Sequence, residues 1–171
     1  MRDFDSFGSF GRHLGRLASI SPAVTERATD AAAEAIEQTA KDEIGAYQAG
    51  ISGQPAWPQL APSTLEEKIR QGYATPQHHN PLLRTGELRE SISHRTSGNE
   101  AEIGSSSQVA LYHEFGTSRM PPRPIFGQAV FRAGGRLVEA VGGVAFAWVA
   151  GLGWGRGKKL NDAQNHPPKE R

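Results

Sequence analysis

The sequence predicts an α+β fold in which a small antiparallel sheet, built on a β-hairpin, packs against a long N-terminal helix and a C-terminal helix. Three observations carry that expectation. Ser21-Pro22 opens an alanine-rich stretch with helical spacing, residues 91–105 alternate around a Ser97-Gly98-Asn99 turn, and Ile125 to Val141 returns to helical spacing after a proline-rich loop. A length of 171 residues builds one sizeable core but is short for two. The expected organisation is an amphipathic arm over residues 1–20, a core domain over 21–141, and a Gly-rich apolar segment with a basic flexible tail over 142–171.

Each element has its own signal. Phe4, Phe7, Phe10, Leu14 and Leu17 form one apolar stripe, a short amphipathic helix weakened by Gly8, Gly11 and Gly15 at about 1 kcal/mol each. Serine followed by proline then suits a helix start, because serine caps open amides and proline at the first position loses no bond. That helix presents Ala28, Ala31, Ala32, Ala35, Ile36, Thr39 and Tyr47 on one face and is expected to stop at Gly50. Residues 50–62 are turn-forming, with Trp57 and Leu60 as apolar anchors. Ser63-Thr64-Leu65-Glu66 matches a capping box for a two-turn helix ending at Gly72. Leu83, Leu88 and Ile92 have buriable spacing, with Thr85 placed to cap a short helix, and His94 is read as a strand surface residue. Gln108 to Phe115 is a short helix stopped by Gly116, with Val109, Tyr112 and Phe115 at helical spacing. The final helix is expected to break at Gly134-Gly135 and again at Gly142-Gly143, and residues 144–154 form a buried helical end or an interface segment.

Composition narrows function by exclusion. The absence of cysteine removes disulfides, thiolate metal sites and cysteine nucleophiles. A formal net charge of +1 hides a split, since residues 1–119 carry 11 basic and 15 acidic side chains and residues 120–171 carry 8 and 3. Opposite signs at the two ends read first as solvated faces, and otherwise suit attraction between neighbouring copies or a tail that meets nucleic acid. Arg2, Asp3 and Asp5 precede a Gly-broken segment, which does not read as a signal peptide. The apolar, uncharged run from Ala140 to Trp154 is shorter than the roughly 20 residues that span a bilayer.

The densest stretch is Leu111 to Gly127, LYHEFGTSRMPPRPIFG. It delivers His113 and Glu114 on a helix end, breaks at Gly116-Thr117, and continues through Met120-Pro121-Pro122-Arg123-Pro124 as a stiff extended loop, because proline lacks a donor and restrains its predecessor. Adjacent helical residues point about 100° apart, so His113 and Glu114 need separate partners and do not form an acid/base pair. Glu114 is suited to clamping an arginine or capping a helix end. Arg123, held extended by its prolines, suits a bidentate grip on a carboxylate or on carbonyls, within the chain or across a subunit contact. No nucleophile elbow, phosphate loop, dinucleotide fingerprint or zinc-protease motif is present, and no cofactor or metal is expected. His78-His79-Asn80 lacks an acidic partner at ligand spacing.

Five blocks in order carry a resemblance: WPQLAPSTLEEK from Trp57, LLRTGELRESI from Leu82, AEIGS from Ala101, ALYHEFGT from Ala110 and MPPRPIFG from Met120. Over roughly residues 55–140 the chain resembles the tailed-phage neck proteins of the virion morphogenesis or tail completion family, the Mu-like branch included. The resemblance implies a small non-enzymatic α+β subunit of a homo-oligomeric ring at the head-tail junction, with six copies expected. It implies capsid connector or adaptor and tail tube or terminator proteins as partners, and passage of genomic DNA through the ring. The place expected is the virion neck, assembled in the host bacterial cytoplasm. By position it assigns fold or subunit contact to Leu83, Thr85, Gly86 and Leu88, to His113, Glu114, Phe115, Gly116 and Thr117, and to Met120, Pro122, Arg123, Pro124 and Phe126. Two rivals remain at the level of sequence: a membrane-active, toxin-like protein using Gly142 to Trp154, and a metal-dependent nuclease using His78, His79, His94 or His113.

Overall fold

One helix, α1 (Phe7–Glu43, 37 residues), runs about 55 Å and touches the hairpin and both C-terminal helices. The computed structural model describes residues 5–150, so the basic tail expected beyond them lies outside the described residues. Ser6 and Ser9 cap α1 reciprocally, the side chain of each meeting the other's backbone amide. The arm helix and the helix expected from Ser21 are therefore one element, and Pro22 sits exposed inside it. The apolar stripe stays in phase through the proline. Leu17 is tied to the C-terminal helix just before it and Val24 is buried just after it, and this packing outweighs one lost backbone bond.

The far end of α1 also departs from the sequence expectation. The helix stops at Glu43, with Ile44 as its cap and Gly45 at φ +110° donating its amide to Pro81 O, rather than at Gly50. Tyr47 still packs on the core, which is why it kept the apparent period. Helix α2 (Pro62–Arg70) begins with Pro62 in its first turn, and Ser63 forms no capping box. Its end, followed by Gly72 at φ +79°, is where the sequence placed it. Lys68 reaches from α2 to the carbonyls of Asn80 and Leu83 and fixes the loop that carries Leu83. In α3 (Glu87–Glu90) the cap position is Gly86 at φ +97°, a conformation only glycine adopts cheaply, and Thr85 makes no capping bond.

Strands β1 (Ile92–Ser97) and β2 (Glu100–Ser105) pair antiparallel around Gly98-Asn99, with Ile92 opposite Ser105 and His94 opposite Ile103. Gly98 at φ +62° fills the first central position of the turn, where glycine is favoured. His94 lies on the inner face, correcting its reading as a surface residue. Helix α4 (Gln108–Phe115) is capped by Ser107. Helices α5 (Phe126–Arg132) and α6 (Gly134–Val149) are separated at Ala133, as the first glycine pair suggested, whereas α6 continues unbroken through Gly142-Gly143. None of the α6 residues is fully buried, so the buried-end alternative for residues 144–149 is corrected. Arg136 bonds Thr39 and Asp42 while Trp148 bonds Leu17 O, which sets α6 antiparallel to α1. The core is Ala40, Ile44, Trp57, Leu88, Ile92, Ala110, Ile125 and Ala129, flanked by Ile36, Tyr47, Leu82, Leu83 and Phe126.

Candidate functional site

Residues 111–127 form a strap that closes over residues 55–60. Both segments are rich in proline, so they offer many carbonyls and few amides and cannot zip as strands. Side chains supply the missing donors. Arg123 Nε donates to Pro58 O and Nη2 to Gln59 O, both at 3.0 Å. Trp57 Nε1 donates to Pro124 O at 3.0 Å, and Gln128 Nε2 to Pro55 O at 2.6 Å. The Tyr47 hydroxyl accepts from Leu60 N at 3.1 Å. Arg123 is only 3% exposed, so the intramolecular alternative holds for its guanidinium, with carbonyls rather than a carboxylate as partners.

The strap is shaped by its turn. Gly116 takes φ +74°, and a Cβ there would lie 2.9 Å from Met120 O and Pro122 N. Thr117 and Met120 exchange backbone bonds across the bend, and Arg123 N then donates to His113 O at 2.7 Å, laying the loop back along α4. Glu114 caps α5: its carboxylate accepts from Ile125 N at 2.7 Å, Phe126 N at 3.1 Å and Gly127 N at 3.3 Å. The helix that has no cap of its own receives one from thirteen residues upstream or fewer.

Electrostatics give this region no acid/base pair. Burial, and then the Arg123 charge, hold His113 below the usual histidine range, and its Nδ1 is buried without a hydrogen bond. Glu114 is occupied by amides. Beneath them Glu43 is 3% exposed and lies 3.3 Å from Arg132 Nε. Burial pushes the Glu43 carboxyl up to about 7, because desolvation outweighs the Arg132 charge and Glu114 adds repulsion. Residue pattern gave no hint of Glu43, since it follows Asp42 in what reads as the solvated end of a helix.

The remaining histidines are scattered. His79 Nδ1 meets the Tyr47 hydroxyl at 3.3 Å, and His78 is exposed. His94 lies between α1 and the hairpin, with Nδ1 against Glu37 and Nε2 3.3 Å from Asp30, which also accepts from Thr96. Bonds from Glu37 raise the His94 pKa against the opposing effect of burial, and Asp30 adds to the rise. Among the described residues no group of three or more His, Asp or Glu could hold a metal ion. No described helix is long and apolar enough to cross a membrane.

Where the strap is closed, the helices around it are open. The apolar face of α4 points outward, with Leu111 54%, Tyr112 42% and Phe115 75% exposed, and only Ala110 is buried there. Of the block before the hairpin, Leu88 is buried, Leu83 half-buried and Thr85 exposed.

Comparison with protein families gives a match over residues 6–138 of the 171, to the model described as the phage virion morphogenesis family. The chain belongs to that family. The match begins in the cap of α1 and ends inside α6, so it takes in the N-terminal arm that the motif blocks did not cover. No curated protein and no solved structure matches the chain. As a virion morphogenesis protein it has a role in building the phage particle, and the strap contributes Ile125 and Phe126 to the described core.

Proposed function

We propose that this virion morphogenesis protein is a structural subunit of the neck. Copies assemble into a ring, expected to be six-membered, that joins the capsid connector to the tail and completes the tail end without a catalytic step. Connector or adaptor proteins sit on one side, tail tube or terminator proteins on the other, and the genome passes through. The ring forms in the host bacterial cytoplasm and stays in the virion. The observation that carries the reading is the amount of apolar helix left in water: Phe7 is 94%, Phe115 75% and Val138 76% exposed, on three different helices. Isolated exposed apolar residues are ordinary, but several open helix faces on one small chain mark surfaces made for other chains. The strap supports the reading because its charged groups Glu114 and Arg123 are engaged in holding loops.

Deletion of the gene from its phage tests this. The expected result is full heads and separate tails, rejoined on complementation, with gold-labelled subunit found at the junction. Joined, infectious particles without the protein, or label confined to another part of the virion, would overturn the proposal.

A further inference from the structure

From Ala140 to Ala150 no side chain of the chain carries a charge. One side of α6 packs on α1, where Trp148 Nε1 donates to Leu17 O at 3.3 Å. The other side presents Val138, Gly142, Phe146 and Val149 at spacings of four, four and three, a straight helical stripe. Val138, Phe146 and Val149 are 76%, 66% and 64% exposed, and a Cβ at Gly142 would meet nothing within 4 Å. A helix that is apolar all round is normally covered all round. The same chain has a second open face. Beyond the Leu17 contact α1 continues to Phe7, with Phe7 94%, Phe10 40% and Leu14 47% exposed beside Gly8, Gly11 and Gly15. Three glycines weaken that extension by about 3 kcal/mol relative to alanine, so it depends on contact for its stability.

We infer that the first three turns of α1 in one copy lie along the outer face of α6 in the next, head to tail. The lengths agree, since Phe7 to Leu17 spans about 16 Å and Val138 to Val149 about 18 Å at helical rise. Shapes agree too: Gly142 leaves a gap in the α6 stripe, and Gly8, Gly11 and Gly15 flank the bulky line of the arm, which lets two helix backbones approach closely. Charge adds direction. The arm carries Arg12 and Arg16 with no acid between Phe7 and Thr25, and Glu139 stands exposed at the rim of the α6 stripe. Each copy has one arm and one α6 face, so a single heterologous contact covers both and propagates until it closes. A symmetric α6-to-α6 contact would leave the arm in water. The inference rests on the ring reading and specifies its contact.

Leu14→Glu and Val138→Glu, each purified as the full chain, test it by sedimentation and native mass. Each alone is expected to weaken assembly at least tenfold and run as monomer, losing no more helix than the three turns of the arm contain. Mixed in equal amounts they are expected to form dimers and nothing larger, because one variant offers an intact α6 face and the other an intact arm. If Leu14→Glu lowers helix content by more than the arm, Phe7→Glu reads the same contact from a position that is 94% exposed. Wild-type oligomer mass in either variant, or monomers only on mixing, overturns the contact while leaving a ring through other faces. A wild-type chain that is monomeric at all concentrations overturns the ring reading with it.

Discussion

Arg123 serves two carbonyls that no backbone amide can reach, and its removal leaves both without donors in a dry site. Arg123→Ala is expected to cost about 3 kcal/mol of stability in denaturant unfolding, and Arg123→Lys to recover little of it, because a point donor cannot span both acceptors. A variant as stable as wild type that fails only in assembly would return the residue to the subunit contact. Glu43 offers a pH test. Its raised folded value means that folding is favoured while the carboxyl is protonated, and this advantage is lost as pH rises from about 4.5 to about 7. Glu43→Gln should flatten the fall in stability over that interval, a difference on the order of 3 kcal/mol between its ends. Parallel profiles for wild type and variant would show that Glu43 does not titrate there. Glu114 as cap and Arg123 as grip were both within reach of sequence reasoning, since prolines on either side leave an arginine few other tasks. Their partners were not, because Pro58 and Gln59 lie some 65 positions away in sequence.

Among the elements, α1 and the hairpin behave differently toward prediction. The hairpin is written locally: alternation on both sides of a glycine turn fixes its register, and Ile92 and Ile103 face inward together. The length of α1 is not local, since a Ser-Pro start signal is overridden by a stripe that runs through it. Pro22→Ala separates the two readings. Inside a helix the change restores a bond and relieves a clash, so stability should rise by about 2 kcal/mol, whereas at a first helical position it would be neutral or harmful. The clamp between α1 and the hairpin adds a second pH dependence. Stability from the raised pKa of His94 is complete below its ordinary 6.5 and fades as pH rises through the higher folded value. Burial pushes Glu37 up, but bonds from Lys41 and His94 leave it below its ordinary 4.5, so its contribution fades only as pH falls below that. The clamp is therefore strongest between about 4.5 and 6.5. His94→Gln should remove the loss on the alkaline side in thermal melts, and an unchanged alkaline slope would dismiss the clamp.

At the level of the whole molecule, one side of the fold is knitted shut and the others are left open. Strap and core explain why Trp57, Arg123 and Gln128 have their types, and nothing among the described residues explains Phe7, Phe115 or Val138. That division was only half legible in sequence, because helical spacing marks an apolar face without saying whether its cover is the same chain or another. The membership over residues 6–138 places the protein among the builders of phage particles, and the open faces are the surfaces the proposed subunit contacts would use. The most direct measurement is the native mass of the full-length protein across concentration. A single closed oligomer, a whole-number multiple of the 18.4 kDa chain that persists on dilution, is the expected result. A monomer at every concentration, with its apolar faces still exposed to a hydrophobic dye, would contradict it.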